Sequence, residues 1–329
     1  MSNIKLIVTH GGEAHDMSEL VISAKWTGRK GAAARSLAVS LIDDDGYGHA
    51  RAGINVEDGY RCIFCWKGTE LFRGIFMRQE QSRKKTMTAT AYDTGIYLAN
   101  NKDTFNYTDK TASHIFRDSC TRFGLPCGAV ADTRYRIPEL PKPNATAWDV
   151  ICDSLSLTYK ATGVRYYPLC AGEEMRLIER RKNVLQWVIE TGVNLEDYRL
   201  SKSIDTTKTR IKLLSREGAV LAESRDAALE KKIGIFQDIT RVDDEMNSAQ
   251  LTELVKNTLA ESSRPLRALN VTALGLPEVT TGIGVFVSIK ELGISKTYYV
   301  EEDTHTFQGN HHSMTLSLVL ASDVEQEGW

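Results

Sequence analysis

No apolar run in this 329-residue chain approaches the roughly 20 residues that a helix needs to cross a bilayer. Nor does one sign of charge dominate, since 41 Lys+Arg stand against 43 Asp+Glu. Basic side chains that neutralise phosphates supply most nucleic-acid affinity, so this balance argues against a sequence-specific nucleic-acid partner. Met1 to His15 lacks a basic stretch followed by an apolar block, which predicts no secretory leader. The six cysteines (Cys62, Cys65, Cys120, Cys127, Cys152 and Cys170) show no disulfide-rich rhythm. They are expected as buried thiols of a chain that folds in a reducing cytoplasm.

What is present is the composition of a folded protein, 42% hydrophobic and 26% charged. The length predicts two or three domains. Ile4, Leu6 and Val8 recur at every second position, as do Leu37, Val39 and Leu41, which predicts strands with one buried face. Asp45-Gly46 and Asp58-Gly59 lie between such runs and read as turns. Further strands over 60–83 and 86–92 complete a meander or barrel of the first hundred residues.

Helical spacing then takes over. Ala112, Ile115, Phe116, Cys120 and Phe123 share a face behind a candidate N-cap, Thr111, and Gly124 stops the helix. After a proline-bearing stretch a second helix opens at Thr146, with Asp149 at capping-box spacing. The two openings match as Thr-Ala-x-x-[Ile/Val]-[Phe/Ile]-x-Asp-Ser, one small unit written twice. Strands are expected at 164–169, 174–180 and around Arg210–Leu213, while the charged stretch 224–247 has no clear pattern. A third helix is predicted over 248–262, with Leu251, Leu254, Val255 and Leu259 on one face and Pro265 ending it. The chain finishes in strands, and Lys85-Thr-Met-Thr-Ala-Thr-Ala91 resembles His312-Ser-Met-Thr-Leu-Ser-Leu318. Each closes a strand block that begins after a turn glycine, Gly59 or Gly282, so two β-domains of related design are expected.

Chemistry is harder to find. Cys62 and Cys65 are three apart on a strand and point to opposite faces, which does not suit a shared metal. His305, His311 and His312 flank Gln308-Gly-Asn310 and read as solvated histidines of a hairpin, with a metal site as the sharper alternative. Asp43-Asp44-Asp45-Gly46 lacks the ligand spacing of a calcium loop. Gly282-x-Gly284 leads into a strand and Gly28-Arg-Lys-Gly31 is no phosphate loop. Trp26, Trp66, Trp148 and Trp187 are expected in cores. The expectation is a non-enzyme with no catalytic, metal or cofactor-binding residue and no cofactor.

The ordered set of segments carries a resemblance. It comprises Gly59-x-x-Cys-x-Phe, Glu70-Leu-Phe-Arg-Gly74-Ile-Phe, the Thr-Ala helices at 111 and 146 and a block near 174–222. It closes with Gly282-Ile-Gly-Val-Phe-Val-Ser, Tyr298-Tyr-Val-Glu-Glu-Asp-Thr-His305-x-Phe and Met314-Thr-Leu-Ser-Leu. Together these resemble the baseplate hub proteins of contractile phage tails and phage-tail-like bacteriocins, in the family of Gram-positive phages and prophages. That family is related to the hub domains of type VI secretion spikes.

The resemblance implies an α+β, mainly β fold with two tube-like β-barrel domains and helical and mixed α/β insertions. The expected division is a first barrel over 1–100, a helical domain with paired helices over 101–173 and strands of the second barrel over 174–223. A charged segment and helix over 224–266 follow, then closing strands of the second barrel over 267–329. The resemblance further implies a homotrimeric ring of pseudo-six-fold symmetry that joins a tail tube, or a tube-initiator protein, to a central spike. Tape-measure and other baseplate proteins are the remaining implied partners, and no membrane is. The chain would be made in a bacterial host cytoplasm and built into the tail baseplate of a virion or virion-like particle. A carbohydrate-active or glycan-binding tail component is the alternative.

Overall fold

Strict alternation of buried and exposed side chains builds the first strands. A computed structural model of the protein describes residues 3–42, 56–83, 86–242 and 246–321, so the expected turn at Asp43–Gly46 and Lys85 of the repeat lie outside the described residues. The first block comprises β1 (Ile4–His10), β2 (Glu13–Asp16), β3 (Val21–Arg29) and β4 (Ser36–Ile42), then β5 (Arg61–Trp66), β6 (Thr69–Ser82) and β7 (Thr86–Tyr92). Ile4, Leu6 and Val8 of β1 and Leu37, Val39 and Leu41 of β4 all point inward, as their spacing predicts.

A mixed region follows: α1 (Ile96–Asn100), β8 (Lys102–Thr111), α2 (Ala112–Arg122), β9 (Cys127–Val130), β10 (Arg136–Thr146), α3 (Ala147–Thr162), β11 (Tyr166–Ala171) and β12 (Glu174–Glu179). The twice-written opening is two strand-then-helix units. β8 and β10 pair antiparallel, with Thr111 opposite Arg136 and Thr146 opposite Lys102. Each strand ends on the threonine that caps its helix. The Thr111 hydroxyl accepts from the His114 amide at 3.2 Å and the Thr146 hydroxyl from the Asp149 amide at 3.0 Å. Asp149 also accepts from the Thr146 amide, closing the capping box. Pro138, Pro141 and Pro143 fit β10 because, among the described residues, that strand has a partner on one side only. Ile115, Phe116, Ile137, Trp148, Ile151 and Leu177 share one core here.

The chain continues through β13 (Val184–Glu190), β14 (Leu195–Ser203), β15 (Arg210–Leu214), β16 (Val220–Arg225), α4 (Ala227–Ile233), β17 (Gln237–Arg241) and α5 (Ser248–Ser262). It ends in β18 (Leu266–Leu274), β19 (Gly284–Ile289), β20 (Ile294–Gln308) and β21 (His311–Leu320). Two compact units result: Met1–Tyr198 with Asn270–Trp329, and Arg199–Leu269 between them. In the second, β16-β15-β17 forms a small sheet, and Ile211 and Leu213 pack against Leu251, Val255 and Leu259 of α5. The α5 N-terminus carries a full capping box between Asn247 and Gln250.

The mainly β, α+β class holds. The two barrels take another form: among the described residues neither block closes on itself. One thirteen-stranded sheet runs β14-β18-β21-β20-β3-β4-β7-β6-β5-β1-β2, with β19 also on β20 and β13 beyond β19. The physical reason is that β3 spends its outer edge on β20 of the second block rather than on its own block. Of the strands expected at 174–223, β13 and β14 join the second block and the others go elsewhere. β12 folds back as a local hairpin on β11 and pairs with β9, while β15 and β16 form their own hairpin. The unpatterned stretch 224–247 contains α4 and β17. Trp26, Trp66 and Trp148 are buried, whereas Trp187 is 49% exposed, because the strand that carries it leaves that face uncovered.

Candidate functional site

The repeat read between 85–91 and 312–318 is a repeat of structure, and it locates the site. In each block a short strand, a long strand and a third strand form a meander: β5-β6-β7 and β19-β20-β21. The long strands have 14 and 15 residues. Each carries a bulge at the same point, at Met77 between the pairs Phe76↔Ala91 and Arg78↔Thr90, and at Glu301 between Val300↔Leu318 and Glu302↔Ser317. The sequence repeat therefore stands in structural register, Ala91 matching Leu318. The glycines match too. The Gly59 amide donates to the Phe76 carbonyl at 2.8 Å, and the Gly282 amide to the Val300 carbonyl at 2.9 Å. Both adopt φ near +90° (90° and 92°), which glycine reaches without strain. In return Phe76 donates to Tyr60 and Val300 to Ile283.

Below its bulge β20 outruns β19, and β3 occupies the edge so exposed. Glu302 to Phe307 run antiparallel to Arg29 to Ala24. This seam between the two blocks concentrates the buried polar chemistry of the chain. Both terminal nitrogens of Arg35 bind the carboxylate of Asp303, one at 2.8 Å. Asp303 is fully buried and also accepts from the Thr281 amide and hydroxyl, each at 2.6 Å. Burial pushes the Asp303 carboxyl up, but Arg35 outweighs it and holds the group below the usual carboxylate range. The Arg35 guanidinium also lies 4.1 Å over the Trp26 ring. At the bulge, Lys30 (2.9 Å) and Arg180 flank Glu301. The Thr27 and Thr304 hydroxyls meet across the seam at 3.2 Å.

The histidines expected in solvent divide. His311 is exposed, whereas His305 and His312 are buried and bonded to each other, Nδ1 to Nε2, at 2.9 Å. His305 Nε2 faces the Val279 carbonyl at 3.0 Å and so carries the hydrogen, which leaves Nδ1 to accept from His312. Burial drives the two imidazoles down to about 4 and about 3, keeping both neutral near pH 7. Their rings pack with Phe307 and Trp66. The correction has a period-2 cause: Asp303, His305 and Phe307 alternate inward on β20. That signal was present in the sequence, obscured by the adjacent turn. Among the described residues no three His, Cys, Asp or Glu side chains gather as metal ligands. Cys62 is buried and Cys65 lies on the other face of β5.

A second buried carboxylate, Asp93, accepts from the Arg35 and Gly95 amides, and burial raises it to about 6. A cleft between β9, β12 and the end of α3 has Tyr166 as the one aromatic ring among its described lining residues. Chemically the seam holds two strands in register, its charges and rings bonded to one another.

The fold is that of phage tail proteins. It matches the 43 kDa tail protein of prophage MuSo2 from Shewanella oneidensis with a TM-score of 0.73, 14% identity, and coverage of 98% of this chain and 100% of that one. It also matches the E. coli c3393 protein, a type VI secretion component described as similar to the T4 tail proteins gp27 and gp5. There the TM-score is 0.57 at 8% identity, covering 94% of this chain and 75% of that one. The chain itself belongs to the YQBQ-like family, whose model matches residues 24–319. It is 33% identical over 307 residues to the uncharacterized protein YqbQ of Bacillus subtilis (strain 168), covering 92% of this chain and 93% of that protein. It is also 33% identical over 301 residues to the phage-like element PBSX protein XkdQ of the same strain, covering 90% and 91%. The resemblance to tail hub proteins drawn from the segment order stands with these matches.

Proposed function

We propose that this chain is a non-enzymatic structural component of a phage-type tail, acting as the hub of a contractile baseplate. Three copies form a ring, and six related blocks in that ring meet a six-fold tail tube on one side and a three-fold spike on the other. The observation that supports this is the internal repeat: two blocks with one strand order, one bulge position and one glycine contact, joined edge to edge in a single chain. A tape-measure protein and further baseplate proteins complete the assembly, which is made in a bacterial cytoplasm and built into the particle.

The test is an electron cryomicroscopy map of particles carrying the chain, with particle counts for a deletion strain. Three copies at the tube–spike junction, and no tubed particles without the chain, are the expected results. Density elsewhere in the particle, or intact tubes and spikes in the deletion strain, overturns the reading.

A further inference from the structure

The seam inside the chain is itself a template for contact between chains. The first block reads β3-β4-β7-β6-β5-β1 and the second β14-β18-β21-β20-β19-β13, the same order, although the outermost pair is antiparallel in the first and parallel in the second. The terminal strands β3 and β14 each have nine residues. β3 docks on β20 below the bulge, but the matching edge of β6, residues 78–82, pairs with β7 on one side and with no strand on the other among the described residues. β14 ends the strand order, so its outer edge is also unpaired there. The molecule thus carries one filled joint and the two halves of a second.

We infer that β14 of one copy adds as an antiparallel strand to residues 78–82 of β6 in another copy. This rests on the ring reading above and names the surfaces that make the ring. The repeat supplies the register. Met77 matches Glu301, Gln79 matches Asp303 and Glu80 matches Thr304. The correspondence reaches side chains: Gln79 donates to Asp58 at 3.4 Å, as Thr281 donates to Asp303. Aligning the two nine-residue strands end to end matches Thr27 with Ser201. Thr27 faces Thr304 at the filled joint, so Glu80 faces Ser201 at the open one.

Exposed apolar surface gathers beside the open edges. Met77 is 48% exposed at the β6 bulge, and Val193, at 69%, sits two residues before the start of β14. The Asn194 side chain donates to the Val188 carbonyl and its own carbonyl accepts from Leu274, which draws exposed Val188, Val193 and Leu274 together at that end of β14. Unpaired edges flanked by apolar side chains invite strand addition. The joint is head-to-tail, and a joint of that kind forms a ring when the rotation between copies closes and an open filament when it does not.

The experiment uses the full chain carrying Glu80→Cys and Ser201→Cys. Labelled (15N) and unlabelled chains are mixed, oxidised and mapped by mass spectrometry, with Glu139→Cys plus Ser201→Cys as the off-edge control. Native mass is measured for the wild type and for Glu80→Pro, since proline blocks an edge strand. Expected are a three-copy species, an 80–201 disulfide between labelled and unlabelled chains that the control lacks, and a fall to one-third of the mass in Glu80→Pro. A three-copy species without that disulfide overturns the strand-edge joint and leaves the ring standing. A wild-type chain that stays monomeric overturns both.

Discussion

Arg35 grips Asp303 with both terminal guanidinium nitrogens across 268 positions of sequence, and the pair sits at the edge where the two halves of the sheet meet. Taking a fully buried carboxylate out of water is costly unless its partners satisfy it, and here Arg35 and Thr281 do so together. Removing one partner of a buried pair costs about 3–5 kcal/mol. Arg35→Met is therefore expected to lower unfolding stability by that amount in urea titration, because it strands the carboxylate. Arg35→Met with Asp303→Leu should recover most of the loss. Equal losses in the single and double variants would mean that packing, not charge, governs the site.

Acid should loosen the same region. His305 and His312 titrate at about 4 and about 3 in the fold and near the ordinary histidine value when unfolded. The unfolded chain then binds more protons, so their contribution is full above about pH 6.5 and is lost as pH falls toward 4. Asp303 and Glu301, both held low, add losses in the same direction at lower pH. Asp93, raised to about 6, works the opposite way between its two values. The melting temperature is expected to fall between pH 6.5 and 4, and His312→Phe should flatten that slope. An unchanged slope in the variant would count against the buried pair as its source.

The two turn glycines should respond unequally to alanine. Both lie at positive φ, which costs a side chain about 1–2 kcal/mol. A Cβ on Gly59 meets nothing within 4 Å, whereas on Gly282 it would stand 2.3 Å from the Tyr167 ring. Gly59→Ala should lower stability by about 1–2 kcal/mol, and Gly282→Ala by clearly more. Thermal melts of the two single variants give the comparison directly.

Helix capping is a further lever. Thr146→Ala removes a hydroxyl that accepts from the Asp149 amide, and Asn247→Ala removes a side-chain carbonyl oxygen that accepts from the Ala249 and Gln250 amides. Each should cost about 1 kcal/mol. Hydrogen exchange should localise the first loss to the opening of α3 and the second to α5.

The contrast between those caps and the seam shows what the linear chain reveals. Thr111 and Thr146 are legible because a cap and its target lie three residues apart, and the helix over 248–262 because Leu251, Leu254, Val255 and Leu259 fall on one face. The matched strand ends at 91 and 318 were legible because a duplicated meander keeps its alternation. Arg35 and Asp303 carry no such signal, since nothing local pairs an arginine after a turn with an aspartate in a distant strand. Burial of His305 and His312 is hard to see in the linear chain because the turn at Gly309 masks the alternation running through Asp303, His305 and Phe307. The continuous sheet was hidden for a related reason: β3 carries the same pattern whether it pairs within its own block or beyond it.

One consequence follows from the two blocks sharing a backbone. In any assembly the chain enters, the halves arrive in equal numbers, and neither can be over-supplied relative to the other. The joint between them forms at the effective concentration of a tether and not at that of free molecules in the cell. Half of the contacts in a ring made this way are complete before two copies ever meet.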